Sequence, residues 1–154
     1  MQPQAFSMQF RGHSTQFSPG VLTAKATAPS GGLITRIDGD GVHGIFELVE
    51  GDEALLERRL TFLNDTSFEE VGTISFGAGN AIRYRSVGHG TLSPSSQSGL
   101  HHGTATWAIE TGAGVFAGAS GRIVSNFLVS DGGEFTDHQI GVFFLDHPGG
   151  QTNV

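Results

Sequence analysis

The segment from Trp107 to Phe127 constrains the fold more than any other part of the chain. It places two alternating apolar runs on either side of a glycine-rich stretch. Alternation with a period of two is typical of β-strands with one buried face. Glycines permit a tight reversal between such strands, and there are four here: Gly112, Gly114, Gly118 and Gly121. The segment therefore predicts one β-hairpin, with Trp107 and Phe116 in contact in the core.

The same stretch also satisfies the pattern G-x-G-x-x-A, at Gly112, Gly114 and Ala117. In a dinucleotide-binding turn this pattern opens a helix, whose first amides hold the pyrophosphate. Here the following residues, among them Ile123 and Val124, are poor helix formers. Too few residues then remain for the βαβ units of such a domain. We therefore expect no nucleotide cofactor, and no other cofactor is expected either.

Alternation continues along the rest of the chain, for example over residues 6–10, 22–26 and 45–49. With 24 glycines and 15% charged residues, the composition favours turns and strands over surface helices. The segment 51–60 is ambiguous between helix and strand, and we predict a strand that begins near Leu55. The expected fold is all-β, one domain over 1–154, formed by a closed antiparallel, calycin-like barrel of about eight strands. A two-sheet β-sandwich is the alternative.

Two segments are expected to lie outside the regular structure. Residues 92–100 are rich in serine and contain a proline, which predicts a long mobile loop. Residues 147–154 are expected to form a frayed tail.

Charge and composition exclude several classes of partner. The net charge is -7, so the chain lacks the basic footprint expected of a protein that binds nucleic acid or an anionic membrane. It has no cysteine, which excludes disulfides and thiolate chemistry. The first residues lack the pattern of a signal peptide, and no apolar run is long enough to span a bilayer. A soluble cytoplasmic protein is the expectation.

The last third of the chain resembles the allene oxide cyclase and dirigent group of β-barrels. The resemblance lies mainly in residues 105–145. Its motif positions are Gly112, Gly114, Phe116, Gly118, Ala119 and Gly121, followed by the apolar strand 140–145. It implies an eight-stranded barrel, often trimeric, with an apolar cavity in which small hydrophobic molecules are cyclised or coupled. The family's catalytic residues have no confident counterparts in the first two thirds of the chain, so none is carried over.

Three polar residues stand within otherwise apolar strand faces and are our catalytic candidates. Glu47 lies between Ile45 and Val49, whereas Tyr84 and Asn126 share faces with apolar residues on later strands. A polar group that faces the interior needs a partner or a ligand. Glu47 would then act as general acid or base, Tyr84 as a donor, and Asn126 as a group that orients a carbonyl or water. The alternative is that these faces point to solvent.

Four further residues are candidates for ligand binding. Arg59 and Arg83, if they face inward, would bind an enolate or a carboxylate. Trp107 is the only tryptophan and is expected to pack in the core or to form an aromatic wall for a ligand. His138 follows Asp137, and neighbours on one strand cannot both face a cavity. The seven histidines lack the spacing of a metal site, so no metal is expected.

These residues lead to three hypotheses of function. The first is a cofactor-independent cyclase or isomerase that acts on a small hydrophobic, oxygenated metabolite bound in the barrel. The alternative is a carrier that binds such a molecule without turnover. A structural module is the third, and it would follow if large side chains filled the barrel. A homo-oligomer, dimer or trimer, is a further expectation.

Overall fold

The computed structural model describes the backbone of residues 2–28, 31–48 and 53–146, and side chains within 3–28, 39–42 and 53–146. This part of the chain is almost entirely β-structure. Its one helical element is a single 3₁₀ turn, Gly114–Phe116. The strands are β1 (Gln2–Ser18), β2 (Val21–Ala28), β3 (Gly31–Asp38), β4 (Gly41–Leu48), β5 (Ala54–Phe62), β6 (Ser67–Ser75), β7 (Ala81–Ser86), β8 (Gly90–Pro94), β9 (Leu100–Ala113), β10 (Ser120–Ser130) and β11 (Glu134–Leu145).

The strands close into an antiparallel barrel. Its wall has eight strand positions, one of which is shared by two short strands. The order is β10-β11-β1-β2-β5-β6-β7-β9, and pairing of β9 with β10 joins the two ends. Within the described residues, closure leaves no free sheet edge in the barrel wall apart from a short stretch of β6. β3 and β4 form a separate hairpin that is inserted between β2 and β5. The all-β fold and the closed eight-stranded barrel predicted from the alternation are therefore confirmed, and the β-sandwich is excluded.

One of the eight positions is divided between two strands. β6 pairs with β7 as far as Val71 and Arg85, and it resumes pairing with β8 at Phe68 and Gly90. β9 pairs with both short strands on the other side. β7 and β8 thus form one wall position that is interrupted over residues 87–89.

Alternation directs one side chain in two into the barrel. Even-numbered residues of β1, β2, β5, β6 and β7 face inward, as do odd-numbered residues along most of β9 to β11, which gives buried positions such as Phe10, Leu56, Trp107 and Phe143. The inward glycines provide room for large rings. A Cβ at Gly103 would collide with the ring of Phe127, and one at Gly72 with the hydroxyl of Tyr84. Small residues on one strand therefore complement large ones on its neighbour.

The two ends of the barrel are packed differently. Four phenylalanines close one end, with Phe6 stacked on Phe143 at 4.8 Å between centroids and Phe76 beside Phe116 at 4.9 Å. The other end, at the start of β11, contains a small cavity lined by apolar side chains that include Phe62, Leu92 and Val129, which are partly buried, as Phe76 and Phe116 are at the closed end. We call it the open end.

The structure refines the predictions for individual segments. The hairpin between β9 and β10 forms as expected, and Gly114 and Gly118 adopt positive φ values of 65° and 76°. The contact predicted between Trp107 and Phe116 is replaced by others. Phe116 packs on Phe76 and Phe143 near the closed end.

The ambiguous segment is strand β5, which begins at Ala54. The loop expected at 92–100 is shorter, since β8 extends to Pro94 and β9 begins at Leu100. The tail, 147–154, lies outside the described residues.

Candidate functional site

A layer of polar side chains crosses the middle of the barrel, between the aromatic closed end and the open end. Its members all face inward and belong to five of the eight wall positions. Each is fully buried or nearly so. They are Arg58 on β5, Glu70 on β6, Tyr84 on β7, Ser125 on β10, and Asp137 and Gln139 on β11. We call these six residues the polar layer.

Arg58 connects the two sides of this layer. Its Nη2 donates to Oε1 of Glu70, and its Nη1 donates to Oδ2 of Asp137, both at 2.9 Å. Because β5 and β11 are separated in the wall by β1 and β2, the Arg58–Asp137 bridge runs across the interior. Removing one partner of a buried ion pair of this kind strongly destabilises the fold, because the other charge then stays unpaired in a medium of low polarity.

The two carboxylates accept further hydrogen bonds. Tyr84 donates its hydroxyl to Oε2 of Glu70 at 2.7 Å. Asp137 accepts from Ser125 at 2.8 Å and from the amide of Gln139 at 2.9 Å. All six residues therefore belong to one continuous hydrogen-bonded network.

Aromatic rings surround the guanidinium of Arg58. Its Cζ lies 4.8 Å from the ring centroid of Phe127, 5.5 Å from that of Phe135 and 5.6 Å from that of Trp107. Trp107 in turn stacks on Tyr84, with 3.7 Å between centroids. The π-faces add favourable contacts to the buried cation. They also place the only tryptophan of the chain directly beside the polar layer.

Burial shifts the ionisation of this layer. It raises the pKa of Glu70 above its ordinary value, and the opposing effect of Arg58 offsets this only in part. It likewise raises the pKa of Tyr84, with the nearby charge of Glu70 adding to the effect. For Arg58, burial favours the neutral form, but Glu70 and Asp137 outweigh it and raise the pKa of the guanidinium. Glu70 is thus the member of the layer that is best suited to hold or release a proton.

Three polar atoms of the interior have no hydrogen-bond partner among the described residues. They are Nε of Arg58, Nε1 of Trp107 and Oε1 of Gln139. Leaving such groups unpaired is costly, so each is a position at which a bound molecule or water would gain a hydrogen bond.

A small cavity connects the open end with Arg58. It measures about 30 Å³, and its lining includes Leu60, Phe62, Leu92 and Phe127 in addition to Arg58. Nearly all of its surface is apolar. A volume of this size accommodates water but not a metabolite. Side chains of the described residues therefore fill the centre of the barrel, where an apolar cavity large enough for a ligand was predicted.

Two of the predicted site residues lie in the interior. Tyr84 is fully buried and belongs to the polar layer, and Trp107 is fully buried beside it. Glu47 lies on β4, in the inserted hairpin, and its side chain lies outside the described residues.

The other four predicted residues face outward. Asn126 is exposed on β10, where its side chain meets that of His102. Its neighbours Val124 and Leu128 are exposed as well, so the apolar face that suggested an inward Asn126 is an outer face. Arg59, Arg83 and His138 are also exposed. Each lies directly beside an inward residue in the sequence, and alternation therefore directs it to solvent.

Sequence analysis missed most of the polar layer, although a signal was present. Arg58 alternates with Leu56 and Leu60, just as Asp137 shares a face with Phe135. This is the same polar-within-apolar pattern that drew attention to Tyr84. The charged run 57–59 obscured it, because charged residues on strands commonly form cross-strand salt bridges on the surface. One such bridge exists elsewhere, between Arg85 and Glu110 at 2.7 Å.

Comparisons with known proteins agree with the fold. No protein-family model and no curated protein matches the sequence. Among solved structures, the chain is similar to a pterocarpan synthase dirigent protein, with a TM-score of 0.50 and 16% sequence identity. The match covers 92% of this chain and 88% of the other. At this identity the likeness shows a dirigent-type barrel fold and leaves the activity to be argued from the site.

The described part of the chain lacks two other features. It contains no helix that is long and apolar enough to cross a bilayer. Nor do three or more His, Asp or Glu side chains in it converge as metal ligands would.

Proposed function

We propose that this protein binds a small hydrophobic molecule that carries an oxygen acceptor, at the open end of the barrel. The apolar part of the molecule would contact Phe62, Leu92 and Phe127. Its oxygen would accept a hydrogen bond from Nε of Arg58. Two observations carry the proposal: Nε of Arg58 is a buried, unpaired donor of a charged group, and Arg58 lines the apolar cavity at the open end.

Binding requires the open end to widen. The cavity of about 30 Å³ is far smaller than the several hundred Å³ typical of ligand pockets. Phe62, Leu92 and Val129 line it and are only partly buried, so they are the side chains with room to move. For binding alone, the closed end and the polar layer would stay in place as a rigid floor.

Calorimetry with two model ligands tests the proposal. Acetophenone carries a carbonyl acceptor, whereas ethylbenzene has a similar size and no oxygen. We expect acetophenone to bind more tightly by about 1–3 kcal/mol, the value of a hydrogen bond to a charged donor. Emission from Trp107 should change on binding, because this ring lies beside Arg58. Equal affinities for the two ligands would contradict the role of Arg58.

A matched pair of variants locates the binding site. Val129→Phe adds a ring at the open end, and Leu128→Phe adds the same ring to the outer face of the same strand. We expect the first variant to lose acetophenone binding and the second to retain it. Circular dichroism of both variants checks that they are folded. If both variants bind like the wild type, the ligand does not occupy the open end.

Isomerase or cyclase activity is the second candidate, and the raised pKa of Glu70 favours it. A carboxylate with such a pKa is a stronger base than an ordinary one. Once a ligand displaces the hydroxyl of Tyr84 from Oε2 of Glu70, this carboxylate would remove a proton from the carbon beside the ligand carbonyl, while Arg58 stabilises the enolate oxygen. Return of the proton at another carbon, or ring closure, leaves the composition unchanged, so no cofactor is required.

Deuterium exchange into the methyl group of acetophenone tests this activity separately from binding. An enzyme of this type should accelerate the exchange in D₂O, as followed by NMR, and Glu70→Gln should abolish the acceleration without loss of acetophenone binding. If the wild-type protein binds acetophenone but does not accelerate exchange, the protein acts on this probe only as a carrier.

A further inference from the structure

The interruption between β7 and β8 leaves a short stretch of β6 without a paired neighbour on one side. Regular pairing of β6 stops at Val71 and resumes at Phe68, so Glu69 and Glu70 face residues 86–89. In this stretch, two residues of β6 lie opposite four residues at the junction of β7 and β8. This is the geometry of a bulge, which opens the ladder locally. In this barrel the opening lies at the residue that carries the buried carboxyl group.

Ser86 occupies this interruption. The backbone amide of Glu70 donates to its Oγ at 2.9 Å, and not to a strand carbonyl. Ser86 also lies opposite Trp107 in the pairing of β7 with β9. It faces the interior but is only half-buried, unlike Ile82 and Tyr84 on the same face. Ser86 is therefore a small, half-buried side chain that lies next to both Glu70 and Trp107.

A cavity on the outer surface leads to the same point. Its volume is about 340 Å³, and both Glu70 and Ser86 contribute to its lining, together with Thr61 and Gly88. It is distinct from the cavity at the open end, which is lined by other strand ends. The side chain of Glu70 itself has no exposed surface. The outer cavity thus reaches the residue Glu70, whereas its carboxyl group is shielded from solvent.

We propose that the interruption between β7 and β8 is a lateral entrance, gated by Ser86, through which water and small uncharged solutes reach Glu70 and Trp107. The entrance is independent of the open end, so the polar layer stays in exchange with solvent when the open end is occupied. It opens by a local motion of residues 86–89, which lack regular pairing with β6.

Charged groups line both sides of the entrance. On the inner side Glu70 contacts Arg58 and Tyr84, with Asp137 beyond the guanidinium. On the outer side the cavity carries further ionisable side chains on three strands and the intervening loop. These are Arg59, Glu69, Arg85 and His89. Because both signs are present, the entrance favours neutral solutes over ions of either charge.

Quenching of Trp107 fluorescence by acrylamide measures passage through this entrance, since acrylamide is small and neutral and the chain has one tryptophan. We expect Ser86→Gly to raise the quenching constant by about twofold or more and Ser86→Val to lower it by a similar factor, because the gating side chain becomes smaller or larger. Val129→Phe blocks the open end and should leave the quenching constant unchanged. Fluorescence lifetimes measured in parallel correct for changes in the emission of the ring itself.

Amide hydrogen exchange of the wild-type protein gives a second test that needs no variant. We expect the amide of Glu70 to exchange faster than that of Ile74, which lies in the fully paired part of the same strand. The proposal is overturned if Val129→Phe lowers quenching while the two Ser86 variants do not alter it. It is also overturned if Glu70 is protected as strongly as Ile74.

Discussion

The inner and outer faces of the barrel strands carry the same kinds of residues but place them in opposite environments. Arg58 is buried between two carboxylates, whereas Arg59, the next residue, is exposed and lies over the ring of Phe17. Asp137 is buried, and its neighbour His138 is exposed. The comparison teaches that residue type alone does not identify a site in this fold. A shift of one position along a strand decides whether a charge is part of the interior network or of the solvated surface.

The largest expected difference between the two faces concerns the two arginines. Arg58→Met leaves Glu70 and Asp137 without their shared cation, and we expect a loss of about 3–5 kcal/mol in the free energy of unfolding. Arg59→Met removes an exposed contact with Phe17 and should cost less than about 1 kcal/mol. Urea denaturation of both variants at neutral pH measures the difference. Equal losses would show that the buried network does not stabilise the fold.

A smaller difference is expected between Ser125 and Asn126 on β10. Ser125→Ala removes a hydrogen bond of 2.8 Å to Asp137 in the interior, which should cost about 1.5–3 kcal/mol. Asn126→Ala removes an exposed contact with His102 and should change stability by less than about 0.5 kcal/mol. Urea denaturation at neutral pH measures the free energy of unfolding of both variants. If Asn126→Ala proves the more destabilising of the two, the assignment of inner and outer faces on β10 is inverted.

The sequence was sufficient to predict the barrel, because alternation and glycine-rich turns are local signals that recur along the whole chain. It also showed that Asp137 and His138 point in opposite directions. It could not show which face of β10 is the inner one, since Val124 and Leu128 make the outer face as apolar as a core face. For Arg58 the partners lie 12 and 79 positions away in the sequence. Contacts at such separations depend on barrel closure, and a single sequence contains no signal for them.

The smallest and most specific difference between the two faces concerns how protonation of Glu70, on the inner face, and of Glu69, on the outer face, affects stability. Burial raises the pKa of Glu70, so the folded state binds its proton more tightly than the unfolded state does. The resulting stabilisation is complete below the ordinary pKa of a glutamate and is lost as the pH rises through the raised value. Over that interval the wild-type free energy of unfolding should fall by at most about 1.4 kcal/mol per pH unit from this group.

Two isosteric variants isolate the contribution of Glu70 to this pH dependence. The side chain introduced by Glu70→Gln cannot ionise. We therefore expect the stability of this variant, relative to the wild type, to increase as the pH is raised above the ordinary pKa of a glutamate. Glu69→Gln alters an exposed side chain on the same strand and should retain the wild-type dependence. Urea midpoints measured at closely spaced pH values give the two curves. If Glu70→Gln has the same slope as Glu69→Gln, the buried carboxyl group is ionised throughout the range, and Arg58 outweighs the effect of burial on it.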